Sequence, residues 1–477
     1  FNFSPCTATL RALMALRLFN TLTRQVDLFE PLNHGGTVGM YCCGPTVHDF
    51  AHIGNFRTFV FADLVRRVLQ FRGHEVNHVM NITDVEDKII RRVNETGIPL
   101  PEYTAKYESA FLQDLKTLNC LEPHHRPRAT EHIPEMLDLI GRLIEKEIAY
   151  HAEDGSVYFS IQNYQSCGCN YGRLLNLNFD AMRQGERVSN DEYEKDSVAD
   201  FALWKARVPE DGDVHWSSPW GDGRPGWHIE CSAMSMKLLG NTFDLHLGGE
   251  DLIFPHHEDE IAQSEGATGQ PFVKHWLHGA HLLVEGKKMS KSLGNFYTLA
   301  DLLEQGHEGR AIRQLMMSTH YRETFNFTLD GLAGAKTALA RIDECIAKLR
   351  EVADDEPVEP QAEPIEKFTA ALDDDLNISS AWATVFDWVR DTNRRIDEGL
   401  SSAEATAALA TWQKFDTVLA VGKEESTVPA DIQAKVEQRT AARDAKDFAT
   451  ADALRDELHA AGWTIEDTPN GPRAKPL

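Results

Sequence analysis

The sequence predicts an α/β protein: a doubly wound parallel sheet broken by an insertion, then a helical bundle and a small C-terminal domain. Three observations carry this. A strand–loop–helix–strand pattern occupies residues 37–81, alternation of strand and helix resumes after about residue 225, and residues 298–420 are mostly helical in spacing. The chain has 477 residues, which at roughly 150 per domain corresponds to about three domains. The patterns divide it into an N-terminal extension (1–16), two halves of the sheet domain (17–119 and 226–297), a connective insertion (120–225), a helical bundle (298–429) and a C-terminal domain (430–477).

Residues 37–42 are a short apolar run followed by Gly44-Pro45, and Phe59, Ala62, Leu64, Val65, Val68 and Leu69 then recur at helical spacing. With 75–81 as a second strand this is a βαβ unit of a Rossmann-type sheet, whose ligands bind beyond the C-terminal ends of the strands, where residues 43–55 lie. Residues 120–225 break into short pieces rich in Gly, Pro and charge. Strands at 243–247 and 273–278 complete the sheet by about residue 293. Residues 351–375 hold ten acids, one lysine and three prolines, a local charge of −9 that predicts largely a solvated loop or linker. Residues 430–458 show long helical spacing, and a short tail begins at Gly462.

The net charge is −26, from 48 Lys and Arg against 74 Asp and Glu, which disfavours indiscriminate binding to nucleic acid or anionic membranes. About a third of that excess sits in residues 351–375, so any polyanion must be met by a local basic surface. A hydrophobic content of 42% fits a globular chain. No apolar run reaches the 18 or so residues of a membrane span, and eight scattered cysteines do not form a disulfide framework; the expectation is a cytoplasmic protein in a reducing compartment. Residues 1–26 lack acids and contain Arg11, Arg17 and Arg24, as organellar targeting peptides do, although a stretch upstream of a start at Met14 is the simpler reading.

His52-Ile53-Gly54-Asn55 stands at the loop-to-helix junction after the first strand, where unpaired backbone N–H groups favour phosphate. His48, His52 and Asn55 can donate hydrogen bonds there, and Gly54 lets a ligand approach the backbone. More than 200 residues on, Lys288-Met289-Ser290-Lys291-Ser292 lies between glycines and offers two ammonium groups that can follow developing phosphate charge. Each alone reads as a surface histidine or a solvated charge cluster. His256 and Glu260 lie at i and i+4 after Pro255, a favoured first helical residue, so both face one side of a helix. Cys231 and Cys43 could complete a zinc set of two thiolates, one imidazole and one carboxylate, although spacing alone does not reveal it. Cys42 points to the opposite face of the strand from Cys43, and Cys167-Gly168-Cys169 has no partner pair and is read as no metal site.

The lysine loop and the His-Ile-Gly-Asn element together resemble class I aminoacyl-tRNA synthetases. Leu18-Phe19-Asn20-Thr21-Leu22-Thr23-Arg24, Met80-Asn81-Ile82-Thr83-Asp84, Gly226-Trp227-His228-Ile229-Glu230-Cys231 and Gly248-Gly249-Glu250-Asp251-Leu252 extend the resemblance, from about residue 16 to 470, to the cysteinyl-tRNA synthetase family. The resemblance implies activation of L-cysteine by ATP, with Mg2+, to cysteinyl-adenylate and its transfer to tRNA(Cys) by a monomer. It implies one zinc ion on Cys43, Cys231, His256 and Glu260 that takes the substrate thiolate, which a serine hydroxyl cannot imitate. It implies catalytic roles for His52, Asn55, Lys288 and Lys291, and a cysteine site beside Thr83, Trp227 and His246. An ATP site is implied at His48, Gly54, Gly249, Asp251 and Lys291, and anticodon recognition by the C-terminal domain. Asn55 departs from the family pattern, which more often has His there. The rival readings are a tRNA-independent cysteine ligase acting on an amino sugar, which lacks such a tail, and a non-catalytic zinc and RNA-binding protein.

Overall fold

The computed structural model describes residues 15–175, 200–290, 293–354, 356–423, 429–468 and 471–476. Its central sheet has four parallel strands, β1 (Val38–Cys42), β2 (Val76–Met80), β3 (Phe243–Gly249) and β4 (Val273–Gly279), in the order β4-β3-β1-β2. These are the predicted strands, largely buried on both faces; β1 reads as an apolar run, while β2, β3 and β4 interleave apolar residues with Asn77 and His78, Asp244 and His246, and Lys274, His275 and His278. Helix α1 (Ile53–Phe71) joins β1 to β2, α2 (Trp227–Leu239) leads into β3, and α3 (Glu258–Thr268) joins β3 to β4. The chain winds outward in opposite directions from β1 and β3. The switch point, where such sheets bind ligands, therefore opens between their C-terminal ends, where Cys43 N donates to Leu247 O at 3.2 Å.

The insertion forms its own antiparallel sheet of Ala149–His151, Val157–Phe159, Phe201–Ala206 and Gly223–Pro225, packed with helix Ile133–Glu145 around Phe159 and Trp204. Beyond β4, Leu282–Val284 pairs with both Lys287–Lys288 and Phe325–Phe327. The bundle follows as α4 (Leu329–Val352), α5 (Ala362–Asp373), α6 (Ile378–Glu398) and α7 (Ser402–Leu419). Buried Arg313 ties it to α1, donating to the Asp63 carboxylate at 2.6 Å and to the carbonyls of Leu118 and Leu419.

Two expectations need correction, and a third gains detail. Much of the acidic stretch 351–375 is helix: α5 buries Phe368 and Leu372 and packs Phe368 against Phe415 with ring centroids 4.7 Å apart, while Glu363 and Glu366 stay exposed. A charge count averages over the two faces of an amphipathic helix and so hides it. The helical stretch 430–458 is two helices, α8 (Ala430–Asp444) and α9 (Phe448–Ala460), broken where Lys446 takes φ 61° and Asp447 caps the amide of Thr450. The tail beyond Gly462 is an antiparallel hairpin, Trp463–Thr468 with Gly471–Pro476, on a small core of Ile432, Val436, Leu458 and Ala474.

At the other end, Arg17–Asn20 and Gln25–Leu28 form a hairpin that sequence reasoning did not place. It docks on the bundle: the Asp375 carboxylate accepts from Phe19 N and Tyr321 OH, both at 2.7 Å, and from Arg322. Residues 1–14, including Arg11 and Met14, lie outside the described residues. No helix among the described residues is long and apolar enough to cross a membrane.

Candidate active site and metal centre

Cys43 leaves the end of β1, Cys231 sits on α2, and His256 and Glu260 flank the start of α3. Their donor atoms all lie within 4.8 Å of one another and are buried. Cys43 Sγ is 3.8 Å from Cys231 Sγ and 3.7 Å from Glu260 Oε1, and His256 Nε2 is 3.1 Å from that same oxygen. Four ligands at tetrahedral angles, with metal–sulfur bonds of about 2.3 Å and metal–N or –O bonds of about 2.0–2.2 Å, require about 3.8 Å between sulfurs, about 3.6 Å from S to O and about 3.4 Å from N to O. The donor set fits a single tetrahedral ion.

The charges at the cluster are coupled. A hydrogen bond from Cys43 draws the Cys231 pKa down, and burial drives that of Cys43 up. Burial would raise Glu260, but His246 and His256 hold it at about 2; burial would lower His256, but its bonds to Cys231 and Glu260 lift it to about 10. A thiolate, a carboxylate and an imidazolium sum to −1. A divalent cation replacing the protons on Cys43 and His256 leaves two thiolates and a carboxylate around +2, again −1, so metal trades for protons at constant charge.

The outer partners fix the ligands. His246, expected beside the substrate, is fully buried and holds Glu260 Oε2 at 2.9 Å. His228 Nδ1 lies 2.8 Å from His256 Nδ1, and burial keeps His228 neutral, so His256 can donate to it while Nε2 faces the cluster. Sequence reasoning missed His257, whose Nε2 is 3.3 Å from Cys43 Sγ and whose Nδ1 is 2.7 Å from His278 Nε2. A Cβ on Gly248 would come within 2.6 Å of the His257 ring, so only glycine admits it. The available signal was adjacency to His256. Pro255 does not begin a regular helix as expected: it follows Phe254 through a cis peptide in an irregular turn, and α3 starts at Glu258. Cys42 is buried and outside the cluster, and Cys167 and Cys169 join no metal-binding group among the described residues.

The two elements expected to meet phosphate come together at the start of α1. His52 is its N-cap: His52 Nδ1 accepts from Asn55 N at 3.3 Å, and Asn55 Oδ1 accepts from His52 N at 3.1 Å. A Cβ on Gly54 would meet both the His52 ring and Met289 Cε at 3.0 Å, so glycine lets the lysine loop reach this turn. Ile53 N donates to Tyr297 O at 3.0 Å, and Phe296 packs edge-on against His52, which clamp the far end of the loop. Lys288 is exposed, and Asn295 fastens the loop by accepting from Ser290 N and donating to Lys288 O. Lys291 and Ser292 lie outside the described residues. Because Asn55 serves through a carbonyl oxygen that an imidazole nitrogen can replace, Asn55→His is expected to keep cysteine-dependent pyrophosphate exchange within about threefold of wild type. A loss as deep as that of His52→Ala would contradict the capping role.

Trp227 lies half-buried with its ring 4.4 Å from that of His256. Thr83 is buried, donating to Glu230 Oε2 and accepting from Asn81 Nδ2, both at 3.1 Å. Gly249 ends β3 and Asp251 is exposed in the turn after it, while the His48 carbonyl accepts from Tyr103 OH at 2.8 Å.

Residues 29–337 match the tRNA synthetases class I (C) catalytic domain, 367–421 the DALR domain and 426–471 the cysteinyl-tRNA ligase anticodon binding domain. The cysteine–tRNA ligase of Chlamydia pneumoniae is 48% identical over 472 residues, covering 97% of this chain and 98% of the relative. That of Solibacter usitatus is 48% identical over 476 residues, covering 97% and 100%. A methionyl-tRNA synthetase of Mycobacterium tuberculosis in complex with methionyl-adenylate shares the fold, with a TM-score of 0.58 at 13% identity over 81% of this chain and 90% of that one. The anticodon-domain match disfavours the amino-sugar ligase reading. The chain belongs to the cysteine–tRNA ligase family of class I aminoacyl-tRNA synthetases.

Proposed function

We propose that this cysteine–tRNA ligase selects L-cysteine through one zinc ion held by Cys43, Cys231, His256 and Glu260, activates it with ATP and Mg2+, and loads it on tRNA(Cys) as a cytoplasmic monomer. The observation that carries the metal assignment is the tetrahedral spacing of the four buried donors. When bound, zinc supplies a soft Lewis acid that prefers a thiolate to the hydroxyl of serine, which makes an editing site unnecessary. Trp227, against His256, walls the amino acid, and Thr83 with Glu230 and His246 with Glu260 keep neighbouring groups in register. Gly249 and Asp251 meet the ATP ribose, with His48 and Gly54 on the nucleotide side. His52, Asn55, Lys288 and Lys291 stabilise charge on the departing pyrophosphate; no protein nucleophile is required.

Stripping the protein with a strong chelator is expected to abolish cysteine-dependent pyrophosphate exchange, and one equivalent of zinc is expected to restore it. Full activity in metal-free protein would overturn the assignment. The C-terminal module has its own core and lies after every residue of the proposed site. Truncation after residue 429 is therefore expected to leave exchange within about twofold and to lower transfer to tRNA at least about tenfold. A folded truncated protein that charges tRNA at the original efficiency would remove the module from recognition.

A further inference from the structure

The loop between Cys43 and His52 carries an aromatic side chain that none of the chemistry above uses. Phe50 is 46% exposed. Its loop is fixed from behind, since helix Leu100–Thr117 supplies the Tyr103 hydroxyl that bonds the His48 carbonyl at 2.8 Å. The same helix extends the surface. Tyr107 meets Phe50 edge to face with centroids 5.1 Å apart at 73°, and Tyr103 packs against Tyr107 at 5.1 Å. The exposed Lys106 ammonium lies 5.4 Å from the Phe50 centroid and 5.1 Å from that of Tyr107. The one acid beside Phe50 in sequence, Asp49, accepts from Phe50 N at 2.9 Å.

We propose that Phe50, Tyr107 and Lys106 form a docking patch for the unpaired 3′ end of the tRNA, one of whose bases stacks on Phe50 while Lys106 meets a phosphate. The proposal rests on the tRNA-charging reading above and names where on this chain the acceptor strand is held. An aromatic face beside a cation is the surface that single-stranded nucleic acid uses, because every base has a π-face and every linkage a negative charge. The position selects the strand. Phe50 precedes His52 by two residues, at most about 7 Å of extended chain, so the patch borders the place where the adenylate forms. The nucleotide that must come there is the terminal one, and it arrives single-stranded. In a chain of net charge −26, such a contact has to be local, as this one is.

The test uses the full-length, zinc-loaded protein with Phe50→Ala, Tyr107→Ala and Lys106→Gln. Cysteine-dependent pyrophosphate exchange, with its KM for ATP, is expected to stay within twofold of wild type. Single-turnover transfer of cysteine from preformed adenylate to tRNA is expected to fall about tenfold in Phe50→Ala and to be retained in Phe50→Trp. Intact tRNA is expected to bind Phe50→Ala at least about threefold more weakly than wild type, and tRNA trimmed of its unpaired 3′ nucleotides to bind both equally. A raised KM for ATP in Phe50→Ala would make the patch an adenine platform and overturn the proposal. So would unchanged transfer in all three variants, or weakening that persists with trimmed tRNA. Absence of cysteine-dependent exchange in the wild-type protein would overturn the charging reading and the patch with it, whereas intact exchange with unchanged transfer overturns the patch alone.

Discussion

Cys231→Ser is expected to lose its zinc and about a thousandfold of its cysteine-dependent pyrophosphate exchange together. Disturbing only the outer partners of a metal site costs 10- to 100-fold in affinity or activity, and this change removes a ligand. It also breaks the sulfur pair: Cys43 meets a hydroxyl in place of the sulfur at 3.8 Å, and the buried space it shares with Glu260 has one soft donor fewer. Metal content by elemental analysis and exchange rate should fall in parallel. Unchanged zinc and unchanged exchange would take Cys231 out of the site.

The second large effect concerns the lysine loop. Lys291→Ala is expected to lower the rate constant of cysteine activation by about 10²–10³, the range for removing one donor aimed at developing charge, while the KM for cysteine stays within about threefold. The split follows from where the loop rests. Met289 reaches Gly54 beside the N-cap His52, where the proposed phosphate contacts lie, whereas the proposed metal cluster lies between the end of β1, α2 and the start of α3. A group that acts on leaving pyrophosphate contributes in the transition state and little to the bound amino acid. A change confined to cysteine affinity would refute the assignment. Lys288→Ala should show the same pattern with a smaller loss.

The parallel strands were legible in the sequence because short apolar-rich segments alternate with helical spacing, even though polar residues such as His78, Asp244 and His246 lie within them, and the His-Ile-Gly-Asn and lysine elements because their residues are contiguous. The clustering of Cys43, Cys231, His256 and Glu260 was legible only through resemblance: 188 positions separate Cys43 from Cys231, and no periodicity spans such a gap. His257 stayed hidden for a different reason. Neighbours on a regular helix point about 100° apart, so the i, i+4 pairing of His256 with Glu260 carries no signal for His257. The irregular turn Ile253–His257, with Phe254 at φ −144° and ψ 135°, breaks that rule and brings both rings to the cluster. The acids of α5 and the break at Lys446 were lost by the same averaging, since net charge and apolar spacing blur a helix face and a three-residue turn alike.

The docking of the N-terminal hairpin bears on how the chain is made. The hydrogen bond from Phe19 N to Asp375 spans 356 residues, and Thr21 N bonds to Trp276 O. At roughly 5–20 residues per second on the ribosome, about 20–70 s pass between synthesis of the two ends of the longer contact. Residues 17–28 emerge ahead of the sheet domain that follows them, and they receive this anchor only after that whole domain and half of the bundle exist. In the order of assembly, the segment translated early is therefore completed late.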